Sequence, residues 1–239
     1  MIPGRKQEID GERREVLIEV DKVSLEGTLA LPRNALALVL FAHGSGSSRH
    51  SPRNRCVAQV LESQDMGTLL FDLLTSNEEP IDRYTGELRF DIPLLAQRLI
   101  GATQWVRSNA NTKKLKLGYF GASTGAAAAL VAAAELPDAI SAVVSRGGRP
   151  DLAAEALSAV SAPTLLIVGG EDKPVIAMNR EALAELKCEK KLVIVPGATH
   201  LFEEPGTLEE VARIAAEWFK RHFTSVATAE AHGARARVS

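Results

Sequence analysis

Residues 115–134 constrain this chain more than any other stretch. A short apolar run at 115–120 is followed by Gly121-Ala122-Ser123-Thr124-Gly125, and then by an alanine-rich run to Ala134. The apolar run has the length of a buried strand, and alanine has the highest helix propensity. Strand, G-x-S-x-G and helix in that order describe a very tight turn. Its central residue is strained, and side chains two places to either side would collide, so both places take glycine. The turn projects the Ser123 hydroxyl from the end of a sheet, beside the positive end of the next helix, where developing negative charge is stabilised. A glycine-rich turn with a satisfied serine would use the same letters, but the flanking strand and helix favour a nucleophile.

The rest of the chain supplies a sheet for this turn. Residues 36–42 (LALVLFA) are almost all apolar, as expected of a strand buried on both faces of a parallel sheet. Residues 15–20 and 23–31 alternate apolar and polar around Asp21-Lys22 and read as a hairpin, with Pro32 ending its second strand. Further strands are expected at 67–72, 140–145, 164–168 and 191–195. Helices are expected from Ser51-Pro52 to about residue 63, and at 91–108, 151–160, 174–187 and 208–223. Residues 73–90 read as a long polar loop without clear periodicity, the kind that is often functional. Alternating strands and helices imply an α/β fold, a mostly parallel sheet with helices on both faces. Right-handed crossovers then bring the loops at His43, Ser123, Arg146, Asp172 and His200 to one rim, where open α/β sheets bind ligands.

Composition removes several function classes. A formal net charge of −2 gives no reason to expect a nucleic acid or an anionic membrane as partner. No apolar run approaches the ~20 residues that span a bilayer. The first residues, MIPGRKQEIDGERR, contain no apolar signal segment, so a cytoplasmic location is expected. The two cysteines, Cys56 and Cys188, fall in separate expected helices and suggest no disulfide framework. No C-x-x-C or His/Cys cluster offers a metal site, and neither G-x-x-x-x-G-K-[ST] nor G-x-G-x-x-G is present, so no cofactor is expected. Residues 1–14 read as a flexible leader and 224–239 as a disordered tail, leaving one domain at 15–223.

Serine needs a base to become a nucleophile. His200, in a loop after the final expected strand, is the best candidate, because histidine ordinarily titrates near neutral pH. The base needs an acid to hold its tautomer. Asp172 follows the strand at 164–168, although it could instead cap the helix that begins near Pro174. Asp151 is the reserve acid, and the neighbouring Glu171 is expected to point elsewhere. The oxyanion needs backbone N–H donors, expected from Thr124 and from Ser45. His43 reads as structural. Arg146 directly follows the strand at 140–145, with Arg49, Arg53 and Arg55 in the loop after His43. These arginines either read an anionic group on a substrate or tie loops together through acidic partners.

LFAHGSGSS, GYFGASTG, LLIVGGEDKP and VPGATHLFEEPG occur in that order. With them the chain resembles an α/β-hydrolase, and over roughly residues 15–223 its layout is similar to the dienelactone hydrolase family. The resemblance implies a nucleophile–acid–histidine order matched by Ser123, Asp172 and His200, and a small-molecule substrate. Dienelactone hydrolases proper carry cysteine where Ser123 stands here, which favours a serine esterase. Only residues 146–163 separate two consecutive strands where many relatives of this fold insert a lid domain, so no large lid is expected. The reading is therefore a serine hydrolase of small carboxylic esters acting through an acyl-enzyme. The alternatives are a lactone or thioester hydrolase with the same residues, and a catalytically silent binding relative.

Overall fold

Alternation of apolar and polar side chains along residues 11–32 produces a β-hairpin with one face buried. β1 (Gly11–Val20) and β2 (Val23–Pro32) pair antiparallel around a turn in which Asp21 takes φ 50. Val16, Ile18 and Val20 of β1 are buried, and the residues between them face solvent. The strand begins at Gly11, so residues 11–14, expected in the leader, instead pair with residues 29–32. The computed structural model describes residues 10–224; the rest of the expected leader and residues 225–239 of the expected tail lie outside them.

The apolar runs form the remaining strands: β3 (Ala37–Ala42), β4 (Met66–Phe71), β5 (Lys116–Ala122), β6 (Ile140–Arg146), β7 (Thr164–Gly169) and β8 (Lys190–Val195). Together with the hairpin they make an eight-stranded sheet in the order β1-β2-β4-β3-β5-β6-β7-β8. β2 pairs antiparallel with β4, and every pairing from β4 to β8 is parallel. Every residue of β3 and β4 is buried, because helices cover both faces.

Strand alternation divides the core between those faces. Leu38, Leu40, Leu69 and Val143 pack with α3 (Ile92–Ser108), α4 (Thr124–Glu135) and part of α5 (Lys173–Glu185). Val39, Phe41, Leu70, Phe120 and Val144 pack with α1 (Pro52–Glu62) and α6 (Thr207–Thr224). Each such side chain removed from water stabilises the fold by about 1.5–3 kcal/mol. The helix starts follow their capping chemistry: Ser51 Oγ accepts the Asn54 N–H at 3.4 Å, and an Asp91 carboxylate oxygen accepts the Leu94 N–H at 3.0 Å. Among the described residues no helix is long and apolar enough to cross a membrane.

Three further sequence expectations change. Residues 73–90 are not structureless: they hold α2 (Glu78–Thr85) and a 3₁₀ turn, Leu88–Phe90. No apolar stripe marks this segment, because a buried carboxylate organises it. Asp82 accepts the Leu88 N–H at 2.7 Å, the Arg89 N–H at 3.2 Å and Arg89 Nε–H at 2.7 Å. The short helix expected at 151–160 is a 3₁₀ segment, Pro150–Ala159, kinked where Ala154 takes φ 44. Cys188 lies beyond the end of α5, in the turn before β8, with its Sγ 3.7 Å from Thr164 Oγ1, while Cys56 is in α1. The β6–β7 connection contains that 3₁₀ segment and no inserted domain.

Candidate active site

The G-x-S-x-G turn joins β5 to α4, and the contacts around it explain both glycines. A Cβ at Gly121 would lie 2.4 Å from Ala126 Cα. One at Gly125 would lie 2.2 Å from the Ala42 carbonyl oxygen and 2.4 Å from that of His43. The missing side chains let α4 begin directly over β5 and against the end of β3. Between them Ser123 takes φ 50 and ψ −121, a conformation that only surrounding structure can hold. Its N–H donates to the Arg146 carbonyl at 3.3 Å, and its own carbonyl accepts the Arg149 N–H at 3.1 Å.

Asp172 ends the β7 loop at the N-cap of α5, yet its side chain makes no capping bond. Instead Asp172 Oδ2 accepts the His200 Nδ1–H at 2.6 Å. The carboxylate fixes the ring tautomer, leaving the lone pair of a neutral imidazole on Nε2. The Asp172 side chain is 12% exposed and that of His200 40%. The reserve acid Asp151 is engaged elsewhere, accepting Arg149 Nε–H at 2.9 Å and Nη2–H at 2.7 Å. Glu171 is exposed, and its backbone N–H donates to the Ala198 carbonyl. Gly147 backs onto the histidine loop, since a Cβ there would meet the His200 carbonyl oxygen at 3.2 Å and His200 Cε1 at 3.6 Å. The loop after β6 thus touches both Ser123 and His200.

On the other side of Ser123 lies the loop after β3. A Cβ at Gly44 would come within 3.0 Å of Ser123 Cβ. Ser45 and Thr124, the expected oxyanion donors, both border a cleft of about 370 Å³ walled by that loop and the α2 segment. Thr124 is the first residue of α4, so its N–H has no intrahelical acceptor. His43 holds the cleft wall as a neutral strut. Its Nδ1–H donates to the Gly44 carbonyl at 2.9 Å and its Nε2 accepts the Leu73 N–H at 3.0 Å. Burial pushes its pKa below the ordinary histidine value, against the opposing pull of the Gly44 bond, Asp72 and Glu79.

Arg49, Arg53 and Arg55 behave as loop ties. Arg49 pairs with Asp72 and with Glu26, Arg53 with Glu203 at 3.1 Å, and Arg55 donates to His50 Nδ1. Arg146, like Ser123 and His200, is not among the residues that line this cleft; its guanidinium is buried, with Nε and Nη1 meeting no hydrogen-bond partner among the described residues. Burial, aided by the charge of Arg53, lowers its pKa to about 10. Two features of the site escaped the sequence reading. Arg89 lines the cleft, held by Asp82; its signal was a charged pair inside a stretch read as loop. Asn179 is a polar residue on the apolar face of α5, and nothing in its local pattern gives it a task.

A mostly parallel eight-stranded sheet, with a strained serine at a strand-to-helix turn and a His–Asp pair on the same rim, defines a protein of the α/β-hydrolase fold. The chain belongs to the dienelactone hydrolase family, whose family model matches residues 69–229. It is similar to a dienelactone hydrolase from Anabaena variabilis, at 60% identity and a TM-score of 0.88, covering 90% of this chain and 99% of that one. The Est1E structure from Butyrivibrio proteoclasticus, at 16% identity and a TM-score of 0.73 over 87% of this chain and 98% of that one, shares the fold. A Mycobacterium tuberculosis protein named as a phosphoribosyl transferase is 55% identical over 208 residues, 87% of this chain and 46% of that protein. The chain thus spans about half the length of that curated relative.

Proposed function

We propose that this hydrolase-family protein is a serine hydrolase that cleaves small carboxylic esters through an acyl-enzyme. The observation that carries the reading is the 2.6 Å bond from His200 to Asp172, in a loop that meets the same segment as the strained Ser123. In this reading His200 Nε2 takes the Ser123 proton as Ser123 Oγ attacks the ester carbonyl. Asp172 stabilises the imidazolium, and the N–H groups of Ser45 and Thr124 receive the oxyanion. His200 then protonates the leaving alcohol, and a water activated by the same ring releases the acid. Arg146 contributes its carbonyl to the Ser123 backbone. Its guanidinium is buried, with Nε and Nη1 meeting no hydrogen-bond partner among the described residues, and a substrate anion is the ligand such a group would take.

Likeness to the Anabaena variabilis dienelactone hydrolase supports lactones as a second substrate class for the same residues. The transferase name belongs to a longer protein of which this chain matches 46%, so that activity is not carried to this chain. Fluorophosphonate labelling, combined with a screen of p-nitrophenyl esters, small lactones and thioesters, tests the reading. Wild type is expected to label and turn over, and Ser123→Ala to do neither while remaining folded. Turnover near the wild-type rate in a clean Ser123→Ala preparation would remove Ser123 from the chemistry.

A further inference from the structure

Asn179 is fully buried in α5. Its Nδ2 donates to the Gly148 carbonyl at 3.0 Å and to the Val175 carbonyl at 2.8 Å. Both neighbours are acceptors, which sets the orientation of the amide. Its Oδ1 is buried with no hydrogen-bond partner among the described residues. An unpaired buried acceptor is costly, and an apolar side chain at this place would avoid that cost. The side chain is therefore needed for its donors.

The bond to Val175 is local, one turn back in the same helix. The bond to Gly148 joins α5 to segment 146–149, and that segment governs the site. The Arg146 carbonyl accepts the Ser123 N–H, and the Arg149 N–H donates to the Ser123 carbonyl. Gly147 packs on His200. Asp172, the partner of His200, is the N-cap residue of α5. Gly148 cannot be fixed by a side chain of its own, because a Cβ there would lie 2.0 Å from Ser145 Oγ and 2.7 Å from Ala126 Cβ. It is held through its backbone, and Asn179 supplies the hold. A residue at φ 50 stays in place only when its surroundings over-determine it.

We propose that Asn179 is a positioning residue: from the helix whose N-cap is Asp172 it fixes segment 146–149, and through it the Ser123 backbone relative to the His200–Asp172 pair. The inference rests on the reading of Ser123 as nucleophile. Two substitutions separate the contacts. Asn179→Leu keeps the branching at Cγ, adds volume and removes both donors. Asn179→Ser retains a bond to the Val175 carbonyl, as serine does within helices, and is too short to reach Gly148. Activity per folded molecule is measured, with folding followed by circular dichroism, alongside KM, the pH profile and the fluorophosphonate labelling rate.

Misplacement of a reacting group by about 1 Å costs up to about 100-fold, so both variants are expected to lose about 10- to 100-fold in kcat, with slower labelling. KM and the pH midpoint are expected to stay at wild-type values, because Asn179 bonds neither the cleft lining nor the His200–Asp172 pair. Asn179→Ser decides the matter if Asn179→Leu does not fold. A kcat within about threefold of wild type in the folded serine variant overturns the proposal, and so does a loss confined to KM. A shifted pH midpoint overturns it too, since the effect would then fall on the His200–Asp172 pair. Failure of wild type to label, or turnover by Ser123→Ala, is a separate result and removes the nucleophile reading beneath the proposal.

Discussion

Asp172 and Asp151 both follow strands on the same rim, yet their partners differ. Asp172 accepts from His200 at 2.6 Å, whereas Asp151 is held by two nitrogens of Arg149. If Asp172 orients the ring, Asp172→Asn is expected to lower kcat by up to about 10⁴, the loss seen when a triad histidine takes the wrong tautomer. Asp151→Asn is expected to cost less than about tenfold, and a larger loss there than at Asp172 would exchange their roles. His43 carries a pH prediction. Burial depresses its folded-state pKa below the unfolded value of about 6.5, so the unfolded chain binds the proton more readily. Its contribution to stability is present above that pH and is lost as pH falls below it. Burial moves His222 in the same direction and adds to the wild-type slope. His43→Gln retains an acceptor for the Leu73 N–H and removes the His43 contribution. Urea midpoints at pH 7.5 and 5.5 are therefore expected to differ less in this variant, and equal differences would refute the assignment. At this scale the sequence was readable where contacts are local. Gly121, Ser123 and Gly125 act within one turn, so their spacing carries the geometry. Asn179 acts on Gly148, 31 positions away, and leaves no local trace.

The strands and the long helices could be read from their apolar patterns because burial on the sheet imposes those patterns. β3 and β4 are apolar throughout since both faces are covered, and α6 presents Val211, Ala215, Trp218 and Phe219 to the sheet. The segment containing α2 escaped because its order comes from charge. Within α2 only Asp82 is buried, and that carboxylate collects two backbone N–H groups and the Arg89 side chain. Arg89, which donates to Asp82, holds its carboxyl below the usual range, against the opposing effect of burial. Arg98, at 2.8 Å from Glu78, ties the start of the same helix to α3. Asp82→Asn keeps the shape and removes the charge, so it is expected to cost about 1.5–3 kcal/mol, the range for hydrogen bonds to an ionised group. Because this segment walls the cleft, loosening is expected to appear as faster proteolytic nicking between residues 86 and 91, together with a higher KM. Unchanged nicking and an unchanged KM would mean that the turn is held by something other than this carboxylate.

Among the described residues a single sheet separates two large cores, one on each face, and the rim chemistry depends on both. Ser123 is held from the face covered by α4, while His200 lies in the loop before α6, which covers the opposite face. The parallel order made this convergence readable from the succession of strands and helices alone, whereas the antiparallel join of β2 to β4 had no equivalent signal. Each face also contains one of the protein's two tryptophans. Trp105 packs against the core of the α3–α4 face, and Trp218 is buried in the α1–α6 core. Neither core can lose its order without uncovering strands that the other face also needs, since neighbouring residues of β3 alternate between them. Unfolding is therefore expected to be one cooperative event. In the single-tryptophan variants Trp105→Phe and Trp218→Phe, the remaining indole reports one face, and its fluorescence transition in urea is expected to coincide with the loss of helical circular dichroism. Leu40→Ala removes a fully buried side chain from the Trp105 face and is expected to cost about 2–5 kcal/mol. If the sheet couples the faces, that loss moves the midpoint reported by Trp218 as far as the one reported by Trp105. A shift seen by Trp105 alone would mean that the two faces unfold separately, and that the rim is assembled from two independently stable halves.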